Sequence, residues 1–201
     1  MRNMNHMGGP RTEQKERTRE EILASAVRRL RAHGISGASV GEVMKGAGLT
    51  VGGFYAHFDS KDALVGAGLR SCMGQMREVM RAHLGPGKGA DALAPLLRKY
   101  LSPAHRDHPE VGCPVPAVLS ETPHAGEPVR EAFRDEMEAH LEVLCEHLDG
   151  PPSRRRHAAL ATLALMYGGL SLARALRGTP LSEEVLAACR EYARTALGGG
   201  R

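Results

Sequence analysis

Apolar residues recur at helical spacing along most of the chain, and no stretch of useful length alternates apolar with polar positions as a half-buried strand would. Ile22, Leu23, Ala26, Val27 and Leu30 form one such stripe, and Leu64, Val65, Leu69, Met73, Met76, Val79 and Met80 form another. This restricts the chain to an all-α fold. Glycine and proline punctuate the stripes at Gly34, Gly48, Gly85-Pro86-Gly87, Gly150-Pro151-Pro152 and Thr179-Pro180, and six of the 12 prolines fall between Pro103 and Pro128. About nine helices follow. The first starts near Thr18, which has capping-box spacing with Glu21, and ends at Gly34. A short one follows Ser39, another runs from Thr50 to about His57, and a long one from about Lys61 stops before Gly85. The rest lie near 90–101, 113–122, 127–148, 154–177 and 182–197.

Composition narrows the class further. The 201 residues can bury a sizeable core. Only 3% are aromatic, so that core is built from Leu, Ala, Val and Met, and an aromatic-rich β-sandwich or barrel is excluded. Three of the seven aromatics crowd into five positions: Phe54, Tyr55 and Phe58. The net charge is +4, and residues 1–60 hold nine basic against six acidic side chains, so most of the excess sits in the N-terminal part. That bias fits either a polyanion partner for this part alone or a solvated basic face. The four cysteines, at 72, 113, 145 and 189, form no metal-ligand or disulfide pattern and read as reduced thiols of a cytoplasmic protein. The polar first residues read as a disordered tail over 1–15 with no secretory signal, and the uncharged run from Ala158 to Ala173 is too short to span a membrane.

Residues 39–58, SVGEVMKGAGLTVGGFYAHF, carry the strongest functional signal. Two short helices joined by a tight Gly-containing turn have the helix-turn-helix layout, in which the second helix enters the major groove of double-stranded DNA. Gly52 and Gly53 lower helix propensity, so their use implies close approach either to DNA or to the first helix. Thr50 can cap the helix and still offer a hydroxyl to a phosphate, and the free N–H groups at the helix start add a second contact. Tyr55 has a phenol that needs a partner, and Lys61 can neutralise a phosphate. His57 divides between backbone contact and packing, whereas Phe54, Phe58 and Met44 read as plugs of a small three-helix core.

From TREEILASAVRRLRAHG through SVGEVMKGAGLTVGGFYAHFDSKDAL, residues 18–64 resemble the DNA-binding domain of the TetR family of bacterial transcriptional regulators. The resemblance rests on the T-x-x-x-I opening of the first helix, the Gly closing it, the AGLT turn and the run Tyr55-x-His57-Phe58-x-Ser60-Lys61-x-x-Leu64. It implies a dimeric repressor whose larger C-terminal part binds a small-molecule effector. It also implies that Thr50, Val51, Gly52, Gly53, Tyr55, His57 and Lys61 lie at or near DNA. The expected organisation is a DNA-binding domain over 16–60 and a helical ligand-binding and dimerisation domain over 61–201.

The apolar run of the penultimate helix is apolar or small on nearly every face, which requires burial on all sides, either inside the subunit or against a second copy. A homodimer interface would use Leu160, Leu163, Ala164, Tyr167, Gly168 and Ser171 here, with Leu186 and Cys189 from the last helix. A two-fold dimer sets two recognition helices about one DNA turn apart, ~34–36 Å, over a near-palindromic operator. An effector pocket, apolar and adaptable, would draw on Met73, Met76, Met80 and Tyr100, with Cys113, Met137, Leu141, Met166 and Tyr167. Ordinary core packing accounts for the same methionines.

Cys113 lies in Gly112-Cys113-Pro114 at an expected helix start, where a thiolate is favoured, so a redox or electrophile switch competes with a buried inert thiol. His105, His108 and His124 match no metal-site spacing and read as solvated loop residues. No nucleophile elbow, phosphate-binding loop or zinc-protease motif is present, so no enzyme, metal or cofactor is expected. The alternative to a regulator is a helical ligand-binding or redox-sensing protein acting through Cys113.

Overall fold

A computed structural model describes residues 10–198, and every element of regular structure within them is helical. In order these are α1 (Pro10–Gly37), α2 (Val40–Gly46), a 3-10 turn (Val51–Ala56), α3 (Lys61–His83) and α4 (Gly89–Tyr100). The short α5 (Pro103–Asp107) and α6 (Val115–Val118) follow, with 3-10 turns at Pro109–Val111 and Thr122–His124. Three long helices close the chain: α7 (Glu127–Glu146), α8 (Pro152–Ala175) and α9 (Pro180–Gly198).

The first helix starts earlier than its sequence signal implies. Residues 10–15 form its opening turns, whereas residues 1–9 of the expected tail lie outside the described residues. Pro10 supplies a helical φ at the start, and the run behind it is rich in Glu, Gln, Lys and Arg, all good helix formers. Arg17 and Glu21 pair at 3.3 Å across one turn. Thr18 is therefore an interior residue whose hydroxyl donates to the Gln14 carbonyl at 2.9 Å, and no capping box forms. Gly34 breaks the helix with φ 70°, a left-handed conformation that L side chains rarely adopt.

Two hydrophobic cores lie along α3. Leu64, Val65 and Leu69 join Ile22, Ala26 and Leu30 of α1, Val43 and Met44 of α2, and Phe54 and Phe58. One to three turns further on, Met73, Met76 and Met80 join the second core, built by α4, α7, α8 and α9. A single straight helix thus runs from the small N-terminal core into the large one. Between α4 and α7 the many prolines hold the chain to single turns. The expected helix over 113–122 shrinks to Val115–Val118, because Pro114 and Pro116 remove amide donors that a longer helix would need.

The apolar run of α8 is not buried all round. Leu163, Met166, Tyr167 and Leu170 face the second core, while Leu160 and Leu172 remain 44% and 51% exposed. By length and composition α8 could cross a bilayer, yet its inner face is packed as a core helix is.

Candidate nucleic-acid interface

Sequence dictates how the N-terminal core presents residues 50–57. Ser39 caps α2 by accepting the Glu42 N–H at 3.3 Å. Glu42 does not return the bond but pairs with Arg29 of α1 at 2.9 Å. The buried Ser25 hydroxyl donates to the Val43 carbonyl at 2.8 Å and fixes α2 against α1. Gly48 reverses the chain at φ 72°, and Leu49 N–H closes the turn on the Met44 carbonyl at 2.9 Å. The next segment is a six-residue 3-10 turn, not the expected α-helix, because the Gly pair at its centre is too poor a helix former to sustain one.

That turn divides cleanly into an inner and an outer face. Phe54 is fully buried and stacks on Phe58 at 6.0 Å, and the Arg19 guanidinium covers Phe58 from 4.7 Å. On the other side Thr50, Val51, Gly52, Gly53 and Tyr55 all face solvent, with Val51 53% and Tyr55 73% exposed. A methyl group added at Gly52 would meet nothing within 4 Å, and one at Gly53 only the Met44 methyl at 3.9 Å. The fold therefore does not require either glycine. Their smallness leaves the backbone accessible from outside.

Two expectations change here. Thr50 precedes the turn in an extended conformation but makes no capping bond, so its hydroxyl is free among the described residues. A six-residue 3-10 turn also carries only a small dipole, weaker than that of the expected α-helix. His57 is half-buried, and its Nδ1 has no hydrogen-bond partner. Lys61 begins α3 behind Ser60, which caps it through the Ala63 N–H at 3.0 Å, and it lies close enough to Glu121 to stabilise that carboxylate.

A second feature lies in the larger core. A cavity of about 350 Å³ opens between α3, α4, α5 and the segment up to Gly112. Met76 and Tyr100 of the expected pocket line it. Met73, Met80, Cys113, Leu141, Met166 and Tyr167 are instead buried core residues, and Met137 packs against them, because helical spacing turns these positions inward. The cavity wall includes Val79, Leu96, Lys99, His105, His108 and Val111, which the sequence reading left in helices or loops without a role.

His105 is not a solvated loop residue. Its Nδ1 donates to the Tyr100 carbonyl at 2.8 Å, and its Nε2 accepts the Cys113 N–H at 2.9 Å. Burial pushes its pKa down to about 4 and keeps it neutral. Tyr100 packs edge-on against it at 4.5 Å. The Tyr100 hydroxyl is buried without a partner of acceptable geometry, although the Cys113 thiol lies near enough to perturb it. His140, likewise buried, accepts from the Tyr167 hydroxyl and donates to the Met73 carbonyl, both at 2.9 Å. The thiol of Cys113 is fully buried, and burial pushes its pKa up, contrary to the activated thiolate that a redox switch needs. The helix expected to lower that pKa is a single turn.

Within the expected dimer surface, Leu163, Tyr167 and Leu186 are buried inside the subunit, and Cys189 is half-buried against Gly169. Leu160, Ala164 and Gly168 face outward and Ser171 partly so, joined by Ala161 and Leu172. On α9, Ala188 and Tyr192 are exposed as well.

A recognition turn held outward on a three-helix core defines a helix-turn-helix DNA-binding regulator. Residues 22–67 match the family model described as bacterial regulatory proteins, tetR family. The fold extends the likeness over the whole chain. A TetR transcriptional regulator from Chloroflexus aurantiacus J-10-FL is 23% identical, with 92% of this chain and 96% of that one covered at TM-score 0.75. NemR of Escherichia coli in its reduced form is 22% identical, with 87% and 96% covered at TM-score 0.71. FadR of Bacillus subtilis, solved in complex with stearoyl-CoA, is 18% identical, with 90% and 99% covered at TM-score 0.66. No curated protein is similar enough to count as a match.

Proposed function

We propose that this protein is a cytoplasmic, homodimeric repressor that holds a near-palindromic operator and leaves it when a small, mainly apolar effector enters the larger domain. The observation that carries the DNA-binding face is the open space at Gly52 and Gly53 beside exposed Val51 and Tyr55. In this reading Val51 and the glycine backbone meet base edges. Thr50, Tyr55, His57 and Lys61 contact phosphates and set the register. The DNA-binding part ends at residue 60, and α3 carries any movement of the larger core into it. The exposed stripe of Leu160, Ala164, Gly168 and Leu172 pairs with its two-fold copy, since small residues allow close helix approach and a row of exposed leucines favours burial. The effector site is the 350 Å³ cavity at Met76, Tyr100 and His105, in the size range of small-ligand pockets. Selection of bound duplexes from a random pool, repeated with apolar compounds, tests this. An inverted repeat with half-sites about one turn apart is expected. Absence of any enriched sequence, with no salt-dependent binding, would refute the reading.

A further inference from the structure

Four arginines converge where α1 meets the larger domain. Arg31 of α1, Arg106 of α5, Arg174 of α8 and Arg177 just beyond it line a cavity of about 230 Å³ together with Pro109 and Pro116. Arg106 is neutralised inside the chain, by Asp107 at 2.8 Å and Glu183 at 2.6 Å. The other three form no ion pair among the described residues. Arg31 is held by neutral groups alone, donating to the Gln75 side-chain carbonyl at 2.9 Å and weakly to the Cys72 carbonyl at 3.5 Å. Arg174 donates to the His105 carbonyl at 3.0 Å. The Nε atoms of both Arg31 and Arg174 are shut off from solvent with no hydrogen-bond partner.

Such an arrangement is costly as it stands. A buried donor left unsatisfied forfeits its hydration, and guanidinium groups drawn together repel one another. Burial lowers the pKa of Arg174 from the ordinary arginine value, and the nearby Tyr100, Cys113 and Glu110 offset that loss of water only in part. An oxyanion in the cavity removes both costs at once, because the guanidinium fork matches phosphate and carboxylate oxygens and leaves Nε available as a donor. Four guanidiniums against the carboxylates of Asp107 and Glu183, with Glu110 near Arg174, leave the cavity net positive, and an anion of higher charge gains more from that field than a monovalent carboxylate.

We propose that this cavity is a binding site for a phosphoryl dianion, either free inorganic phosphate or the phosphate group of a small organic molecule. The site is distinct from the apolar cavity at Tyr100 and goes beyond the effector reading. It draws Arg31 from the helix of the DNA-binding core and Arg174 from the larger core. A bound dianion therefore fastens α1 to the end of α8.

The test uses the full-length protein and follows thermal unfolding and calorimetric binding. Inorganic phosphate and phenyl phosphate are titrated against acetate and against sodium chloride of equal ionic strength. Saturable stabilisation by a phosphate, well above that by chloride or acetate, is expected. Binding by inorganic phosphate identifies the free anion as sufficient; binding by phenyl phosphate alone identifies an organic phosphate. Arg31→Gln and Arg174→Gln should each weaken it at least tenfold, and Arg177→Gln, on the exposed rim, by less. The exposed Arg98→Gln should leave it unchanged. If Arg174→Gln fails to fold, Arg31→Gln and Arg177→Gln decide the matter. Stabilisation no greater than that by chloride, tighter binding of acetate, or equal binding by all variants overturns the proposal.

Discussion

Glu121 holds Ser36 by both of its donors: the carboxylate accepts the Ser36 N–H at 2.7 Å and the Ser36 hydroxyl as well. The same carboxylate accepts the Ile35 N–H at 2.8 Å. These are the amides freed by the break at Gly34, so a residue of the larger domain satisfies the frayed end of the DNA-binding domain's first helix. Burial alone would raise the pKa of Glu121, but the bonds from Ser36 and Ile35 prevail and hold the carboxyl below its ordinary range. This contribution is present above the unfolded pKa and is lost as pH falls through the lower folded value. Glu121→Ala should therefore reduce stability by about 1 kcal/mol in urea unfolding at neutral pH, the lower end for charge-assisted bonds because they are partly open to solvent. The difference from wild type should shrink in acid.

Gly34→Ala should be worse than Glu121→Ala. Its Cβ would overlap the Glu121 carboxylate and fall 2.6 Å from the Ala117 carbonyl oxygen, and φ 70° is strained for alanine. Combining Gly34→Ala with Glu121→Gly tests which cost dominates. Recovery of less than half the lost stability is expected, because the Ala117 clash and the backbone strain remain.

Gly52→Ala separates folding from DNA binding. The added methyl meets nothing in the protein, and alanine is the better helix former by about 1 kcal/mol. Thermal stability should stay level or rise, while affinity for the selected operator falls and base preference changes. Tyr55→Phe and Lys61→Ala should instead weaken binding on all sequences alike. Lys61→Ala should flatten the logarithmic salt dependence by about one unit, the signature of a lost phosphate contact. A Gly52→Ala protein that binds its operator as tightly as wild type would remove this turn from the DNA.

Much of the N-terminal core was legible in the sequence because it depends on local rules. Ser39 and Ser60 cap as their positions require, and Phe54 and Phe58 turn inward as the bulk of a small core requires. The cavity at Tyr100 was not legible, since His105 becomes a buried neutral bridge only when the Pro103–Val111 segment folds over α4. The arginine cluster was equally hidden, because Arg31 and Arg174 lie 143 positions apart on helices joined only by tertiary packing. Periodicity also misjudged α8, because an all-apolar stripe does not reveal which face the subunit covers itself.

Gly168→Arg on the outward face of α8 should dissociate the proposed homodimer. Nothing lies within 4 Å of a Cβ built there, so the monomer accommodates the side chain, whereas a close two-fold helix contact cannot. Sedimentation should shift from dimer to monomer with helical content retained, and operator affinity should drop as the two half-sites lose their linkage. A variant that remains dimeric would place the interface elsewhere.

Acid should destabilise the larger domain through its two buried histidines. Both His105 and His140 are neutral in the fold, with burial as the leading cause of their lowered pKa values, about 4 for His105. The unfolded chain takes up protons near pH 6.5 while the folded one does not, so it binds more of them as pH falls. Stability should be level above about pH 6.5 and should fall from there toward pH 4. Protonation at His105 forces Nε2 to give up the Cys113 N–H, and at His140 it makes Nδ1 a donor, so the Tyr167 hydroxyl must turn and accept. His140→Gln lowers stability at neutral pH, since one amide cannot reproduce both ring contacts, but it removes one titrating group. Its melting temperature should therefore fall less steeply between pH 6.5 and 4 than that of the wild type, and equal slopes would show that His140 does not contribute to the acid sensitivity.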